Sequence, residues 1–313
     1  MNWLKLRLHR LQPQQVEVLE EALLGLGAAA VTLEDAADEP VLEPAPGSTP
    51  LWSSSQLTAL FSADMDVDTL MLELQQQLPL PGVQQLPDWS SDLLEDKDWI
   101  RAWMDHYHPM QFGRRLWICP SWQPPPDPSA VNLLLDPGLA FGTGTHPTTA
   151  LCMRWLNDHA EAGALADRQV LDFGCGSGVL GIAALLLGAR SMIGVDIDPQ
   201  AVTSTQRNAE RNSISARSYR VMLPDALPGD TRADILLANI LAGPLIELAP
   251  MLGQHLKPNG WLVLSGIIRS QVDDVCTAYR DILTLIEVTY QDDWARITGR
   301  RIASHSSADH GSD

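Results

Sequence analysis

The first residues alternate Leu4, Leu6 and Leu8 with Lys5, Arg7 and His9, the two-residue period of a strand with one buried face. From Pro13 to Gly27 the period changes: Val16, Leu19, Leu23 and Leu24 recur at helical spacing, with Gly25 or Gly27 as a stop. Ala29 to Asp35 and Ser55 to Phe61 return to a strand-like pattern on either side of a Pro-rich stretch, and Val67 to Leu78 predicts a second helix. This β-α-β-β-α order predicts a small α+β sandwich over residues 1–90, with its helices on one sheet face. Ser91 to His106 predicts a linker helix in which Trp99 and Trp103 share a face, either as a docking face or as buried core. Leu116 to Cys119 reads as a short strand and Gln123 to Pro128 as an irregular connector, so residues 91–128 are read together as a linker.

Beyond residue 129 strand and helix signals alternate. Strands are predicted at 170–173, 192–195, 219–223, 235–238 and 261–265, and helices at 179–187, 199–212, 244–256 and 270–282. Two further strands, Leu285 to Thr289 and Trp294 to Thr298, are too close in sequence to pair other than antiparallel. Residues 129–302 are therefore expected to form a doubly wound α/β sheet with an antiparallel last strand. Residues 303–313 lack large apolar side chains and are expected to be a disordered tail.

Composition narrows the function classes. Of 313 residues, 45% are hydrophobic and 19% charged, which excludes global disorder. The net charge is −18, and phosphate contacts need Lys and Arg, so no direct nucleic-acid binding is expected. Residues 1–100 hold 17 acidic and 4 basic side chains, and Lys97 is the only base between Leu11 and Ile100. Such a module is either a docking surface for a basic partner or a solubility surface. The four cysteines lie far apart without a CxxC pair, which argues against disulfides and against a metal site and fits a reducing cytoplasm. The apolar stretch from Val179 to Ala189 is too short to cross a bilayer, and the charged start is no secretory signal, so no membrane is expected.

The sharpest chemical signal is Val170-Leu-Asp-Phe-Gly-Cys-Gly-Ser-Gly178. A strand ends, Gly174, Gly176 and Gly178 permit a tight turn, and a helix begins, bringing a ligand close to backbone N–H groups. Asp196, at the tip of the next predicted strand and 20 residues after Gly176, can accept two hydrogen bonds from ribose hydroxyls. Gly176 to Gly181 is also a literal GxGxxG, so an NAD-dependent oxidoreductase is a live alternative. Asp172, however, would repel a pyrophosphate and welcome a cation, which favours S-adenosylmethionine. Two further segments fit such a site. Leu135 to Thr149 is a glycine-rich loop running into a helix, where Thr145, Thr148 or Thr149 could hold a carboxylate beside free N–H groups. Asn239 ends a strand at the ligand-binding edge, where its amide either orients the cofactor or nucleophile or caps a helix before Pro244. His146 is either a proton acceptor beside the site or structural.

LDPGLAFGTGTHPTT, VLDFGCGSGVLGIAA, GVDIDPQAV and ANILAGPLIELAP together resemble the PrmA family, the bacterial methyltransferases that modify protein eleven of the large ribosomal subunit. The resemblance runs from WLKLRL near the start to WARITGR near the end. It implies a small substrate-recognition domain, a linker helix and a Rossmann-like domain that binds S-adenosylmethionine. It implies methylation of an α-amino group and of lysine ε-amino groups, with a basic ribosomal protein as partner. Thr149, Gly174, Asp196 and Asn239 would contact the cofactor, Gly176 joins them by its place in the loop, and Asn239 is the candidate for a catalytic role. A cytoplasmic monomer is expected.

Overall fold

The computed structural model describes residues 2–37, 52–94, 107–136 and 146–303. The chain divides into two compact units, residues 1–106 and 107–313.

The first unit runs β1 (Trp3–Leu11), α1 (Pro13–Gly25), β2 (Ala30–Asp35), β3 (Ser55–Ser62), α2 (Val67–Gln76) and β4 (Trp89–Leu94). The sheet order is β2-β3-β1-β4, and every neighbouring pair is antiparallel. Alternation decides which face is buried. Leu4, Leu6 and Leu8 of β1 and Leu57, Ala59 and Phe61 of β3 share one core with Val16, Leu19 and Leu23 of α1 and Leu70 and Leu74 of α2. The helices turn Glu17, Glu20, Glu21, Asp68 and Glu73 outward and carry no Lys or Arg. The described bases of this unit lie on β1, where Arg7 pairs with Asp92 at 2.5 Å and Arg10 with Asp88.

The expected linker helix from Ser91 is corrected at its start, because Trp89–Leu94 is a strand. It pairs with β1 from Leu8↔Trp89 to Trp3↔Leu94. Without it the outer edge of β1 would present a row of open N–H and C=O groups, and the ladder outweighs the local helical pattern. Trp99 and Trp103 lie outside the described residues, as does the expected tail from residue 304.

The second unit opens with a three-stranded sheet, β5 (Met110–Phe112), β6 (Leu116–Cys119) and β7 (Val131–Leu134). Its Phe112, Leu116, Ile118 and Leu133 join the main core. The stretch up to residue 128, read from sequence as linker, therefore belongs largely to this unit; strands of three or four residues are too short to show a period. There follow α3 (Pro147–Glu161), β8 (Gln169–Phe173), α4 (Val179–Leu186), β9 (Ser191–Val195), α5 (Pro199–Arg211), β10 (Tyr219–Met222) and β11 (Ala233–Asn239). The chain continues through α6 (Ala242–Glu247), α7 (Ala249–Gln254), β12 (Leu256–Ile268), α8 (Val272–Tyr279), β13 (Leu283–Gln291) and β14 (Trp294–Arg301). The single helix expected over 244–256 is two short ones that meet at Leu248.

The seven strands are ordered β10-β9-β8-β11-β12-β14-β13, and β14 alone runs against the direction of the other six. The last strand is antiparallel as its short turn requires, but it is inserted between β12 and β13 rather than added at the edge. Successive strand residues serve two cores. Val170, Ile235, Leu237 and Val263 face the layer holding α3 and α4, while Leu171, Leu236, Ala238 and Leu264 face the layer holding α6, α7 and α8. The strand order reverses between β8 and β11, so their carboxyl ends part and leave the crevice where such sheets take ligands.

Candidate active site

The crevice is built from the carboxyl ends of β8, β9 and β11 and the first turn of α3. After Phe173 the chain turns through Gly174, Gly176 and Gly178, all with positive φ. Gly174 and Cys175 both donate backbone N–H bonds to Val195 O, at 2.7 and 3.1 Å, which ties the loop to the end of β9. At Gly174 glycine is required twice over: φ is +73°, and a Cβ would lie 2.2 Å from Cγ2 of Ile240.

Gly178 caps α4 without a side chain, so the helix start needs an acceptor from elsewhere. Asp172 supplies it, its Oδ2 accepting from Gly181 N at 2.9 Å. This carboxyl is buried, and burial pushes its pKa up to about 7, with the Gly181 N–H opposing and the Asp196 charge adding. A buried acid with no cation partner among the described residues favours a positively charged ligand group. Asp196 follows β9 and is half-buried. Its Oδ2 accepts from Gly176 N at 2.8 Å and its Oδ1 from Asp198 N at 3.0 Å, leaving each oxygen a further acceptor position.

On the other side of the crevice Thr149 is buried in the first turn of α3, and its Oγ1 accepts from Asn239 Nδ2 at 3.3 Å. That bond fixes the amide, whose Oδ1 is buried and has no partner among the described residues. Asn239 does not cap the following helix: Leu241 holds the cap position of α6 and makes no side-chain cap bond. Sequence reasoning left that choice open, and the structure brings Asn239 to Thr149 instead. His146 caps α3, with its Nδ1 2.8 Å from Thr148 Oγ1 and accepting from Thr148 N at 3.4 Å. An Nδ1 that accepts a backbone bond carries no proton, and partial burial lowers the ring's pKa. The imidazole is thus engaged in helix capping rather than poised as a base. Thr145 lies outside the described residues.

The structure therefore gathers Gly174, Gly176 and Asp196 on one wall, and Thr149 with Asn239 on the other. Sequence reasoning missed three apolar side chains at the rim: Ile197 is 83% exposed, Leu241 51% and Leu223 42%, each just beyond the carboxyl end of a strand. Their signal was position, since an apolar residue following a strand end at the ligand edge has no core to join. A separate cavity of about 270 Å³ lies by the amino ends of β8 and β11, but its Asp234 is already paired with Lys257 at 2.9 Å and Arg168 at 3.6 Å.

Residues 2–302 match the family described as Ribosomal protein L11 methyltransferase (PrmA). The chain belongs to that family. A relative from Marinobacter nauticus named Ribosomal protein L11 methyltransferase is 52% identical over 301 residues, which are 96% of this chain and 99% of the relative. One of the same name from Pseudomonas aeruginosa strain LESB58 is 53% identical over 303 residues, 97% of this chain and 100% of that one. Among solved structures, a ribosomal protein L11 methylase from Lactobacillus delbrueckii subsp. bulgaricus superposes with a TM-score of 0.55 at 32% identity, covering 63% of this chain and all of that one. Membership of a methyltransferase family takes the support from the NAD-dependent alternative; the third glycine of its motif, Gly181, is explained by packing, since a Cβ there would lie 2.5 Å from Met192 Cε.

Proposed function

We propose that this protein transfers methyl groups from S-adenosylmethionine to amino groups of ribosomal protein L11, at the N-terminal α-amine and at lysine side chains. The observation that carries this reading is the buried Oδ1 of Asn239, without a partner among the described residues, on an amide that Thr149 holds at the carboxyl end of β11. The residues fit such a cofactor. Asp196 would hold the ribose hydroxyls, Gly174 and Gly176 would bring backbone against it, and Ile197 and Leu223 would flank the adenine. Asp172 would face the ammonium of the methionine part, and the start of α3 at Thr149 its carboxylate.

S-adenosylmethionine supplies an electrophilic methyl group on a sulfonium. Direct displacement by an amine needs alignment more than acid–base help. Asn239 Oδ1 accepts one N–H of the incoming amine and so points its lone pair. A free α-amine, with a pKa of about 8, loses its proton readily near neutrality, whereas a lysine at about 10.4 costs roughly 4 kcal/mol at pH 7.4. Apolar surface such as Leu241 beside Asn239 desolvates the ammonium and lowers that cost.

The acidic outer faces of α1 and α2 are proposed to dock a basic ribosomal protein; carboxylates hold protons on amines, so this surface serves recognition and not proton removal. The described residues include no helix long and apolar enough to cross a membrane, and a cytoplasmic monomer is the working assignment. The test is transfer of labelled methyl to purified L11, with the modified amines mapped by mass spectrometry. Labelled α-amine and lysines support the assignment, and label confined to another residue type refutes it.

A further inference from the structure

Asn239 is followed by Ile240, which packs directly against two glycines. Its Cγ2 methyl covers Gly174, such that a Cβ on that glycine would lie 2.2 Å away. Its backbone lies under Gly266, at φ +85°, where a Cβ would sit 2.2 Å from Ile240 O and 2.8 Å from its carbonyl carbon. Gly266 follows Ser265, the register partner of Asn239 in the β11–β12 pair. Ser265 is buried, and its Oγ donates toward Thr148 O at 3.1 Å and Ala295 O at 3.3 Å. The chain of contacts thus runs from the glycine loop, through the Ile240 methyl, to β12 and the first turn of α3 that carries Thr149.

We propose that Ile240 is a positioning residue for methyl transfer: its Cγ2 methyl against Gly174 and its carbonyl beneath Gly266 set the gap between the cofactor loop and the Asn239 amide. This rests on the function proposed above. Close-packed interiors transmit displacement, so withdrawing one methyl from a glycine contact lets the two walls move relative to each other. A misplacement of that kind costs rate with little loss of ground-state binding, because alignment is what the displacement needs.

The β-branch makes a discriminating test possible. Ile240→Val keeps the Cγ2 methyl and loses only the terminal Cδ1. Ile240→Leu keeps the volume but removes the β-branch. The full-length protein and both variants are compared for kcat and KM with L11, for the dissociation constant of S-adenosylhomocysteine, and for Tm. The expected result is Val within about twofold of the parent kcat and Leu at least tenfold lower, with both dissociation constants within about threefold of the parent. A residue that merely fills space gives the opposite order, Leu better than Val, and that order overturns the proposal, as does a Leu variant with parental kcat. Ile240→Ala serves as the second truncation, and its expected kcat falls with that of Leu; a parental value overturns the proposal even where Leu is poorly folded. Failure of the parent protein itself to methylate L11 contradicts the function and not the role of Ile240, which keeps the two outcomes distinct.

Discussion

Asp172 makes cofactor binding a proton-linked event. In the free protein burial holds its carboxyl near pKa 7, so at pH 6 it is mostly protonated. A cationic ligand group placed beside it favours the charged form and lowers the pKa by about 1–3 units. Taking about two units, the bound value is about 5, and association strengthens roughly sevenfold between pH 6 and pH 7.5. Over this range a ligand amino group remains largely protonated, so the slope reports Asp172. Close to 0.7 proton, as an order-of-magnitude figure, leaves on binding near pH 6.5. Calorimetry with S-adenosylhomocysteine in buffers of different ionisation enthalpy measures that release directly. Asp172→Asn keeps a carbonyl to accept from Gly181 N but cannot titrate, so its affinity is expected to be flat with pH. The sign for stability is opposite to that of binding. A carboxyl whose folded pKa is raised stabilises the free fold fully below the unfolded value, and that contribution is lost as pH rises through 7. Asp172→Asn is therefore expected to raise the Tm of the ligand-free protein at pH 7.5. A parent protein that binds with no pH slope and no buffer-dependent heat refutes the reasoning, as does an Asp172→Asn variant with an unchanged slope.

Three further outcomes follow from the geometry. Asp196→Ala would remove the two charge-assisted bonds proposed to the ribose, about 1.5–3 kcal/mol each, and free the Gly176 and Asp198 N–H groups to water, so calorimetry is expected to find cofactor affinity at least tenfold weaker with Tm little changed. Asn239→Ala is expected to lower kcat more than cofactor affinity, since its buried Oδ1 is proposed to accept from the incoming amine; equal losses in steady-state and binding measurements make it a binding residue only. A chain starting at Tyr107 retains β5 and β6 and is expected to bind cofactor yet lose methylation of the protein substrate, while the intact protein's KM rises with salt as exposed charges are screened over about 8–10 Å. Undiminished methylation by the shortened chain assigns the acidic unit to solubility.

Legibility in the sequence followed the length scale of the interaction. The alternation of Leu4, Leu6 and Leu8 and the apolar strands around Val170 and Ile235 are local patterns, and they marked the elements that form the two cores. The glycine loop, Asp196 and Asn239 stood out because each sits at a strand end, where chain direction alone decides what faces the crevice. What stayed hidden depends on partners distant in sequence. Trp89–Leu94 has no strand period of its own and becomes a strand because β1 has an open edge. β14 pairs with β12 as well as with its hairpin neighbour, so its place inside the sheet is set by Ile297 and Ala295 entering a core shared with distant residues such as Leu236 and Leu264. His146 and Asn239 were each compatible with two roles until Thr148 and Thr149 were placed between them by the start of α3. Ile240, an ordinary apolar residue in sequence, gains its meaning only from the two glycines it touches.

The most direct test of the account is single-turnover methyl transfer from labelled S-adenosylmethionine to purified ribosomal protein L11, comparing the parent protein with Asn239→Ala at saturating cofactor. Label is expected on amino groups of L11 with the parent, and a transfer rate at least tenfold lower for the variant while cofactor occupancy is unchanged. Label absent from L11 with a cofactor-loaded parent protein, or an unaltered rate for Asn239→Ala, contradicts it.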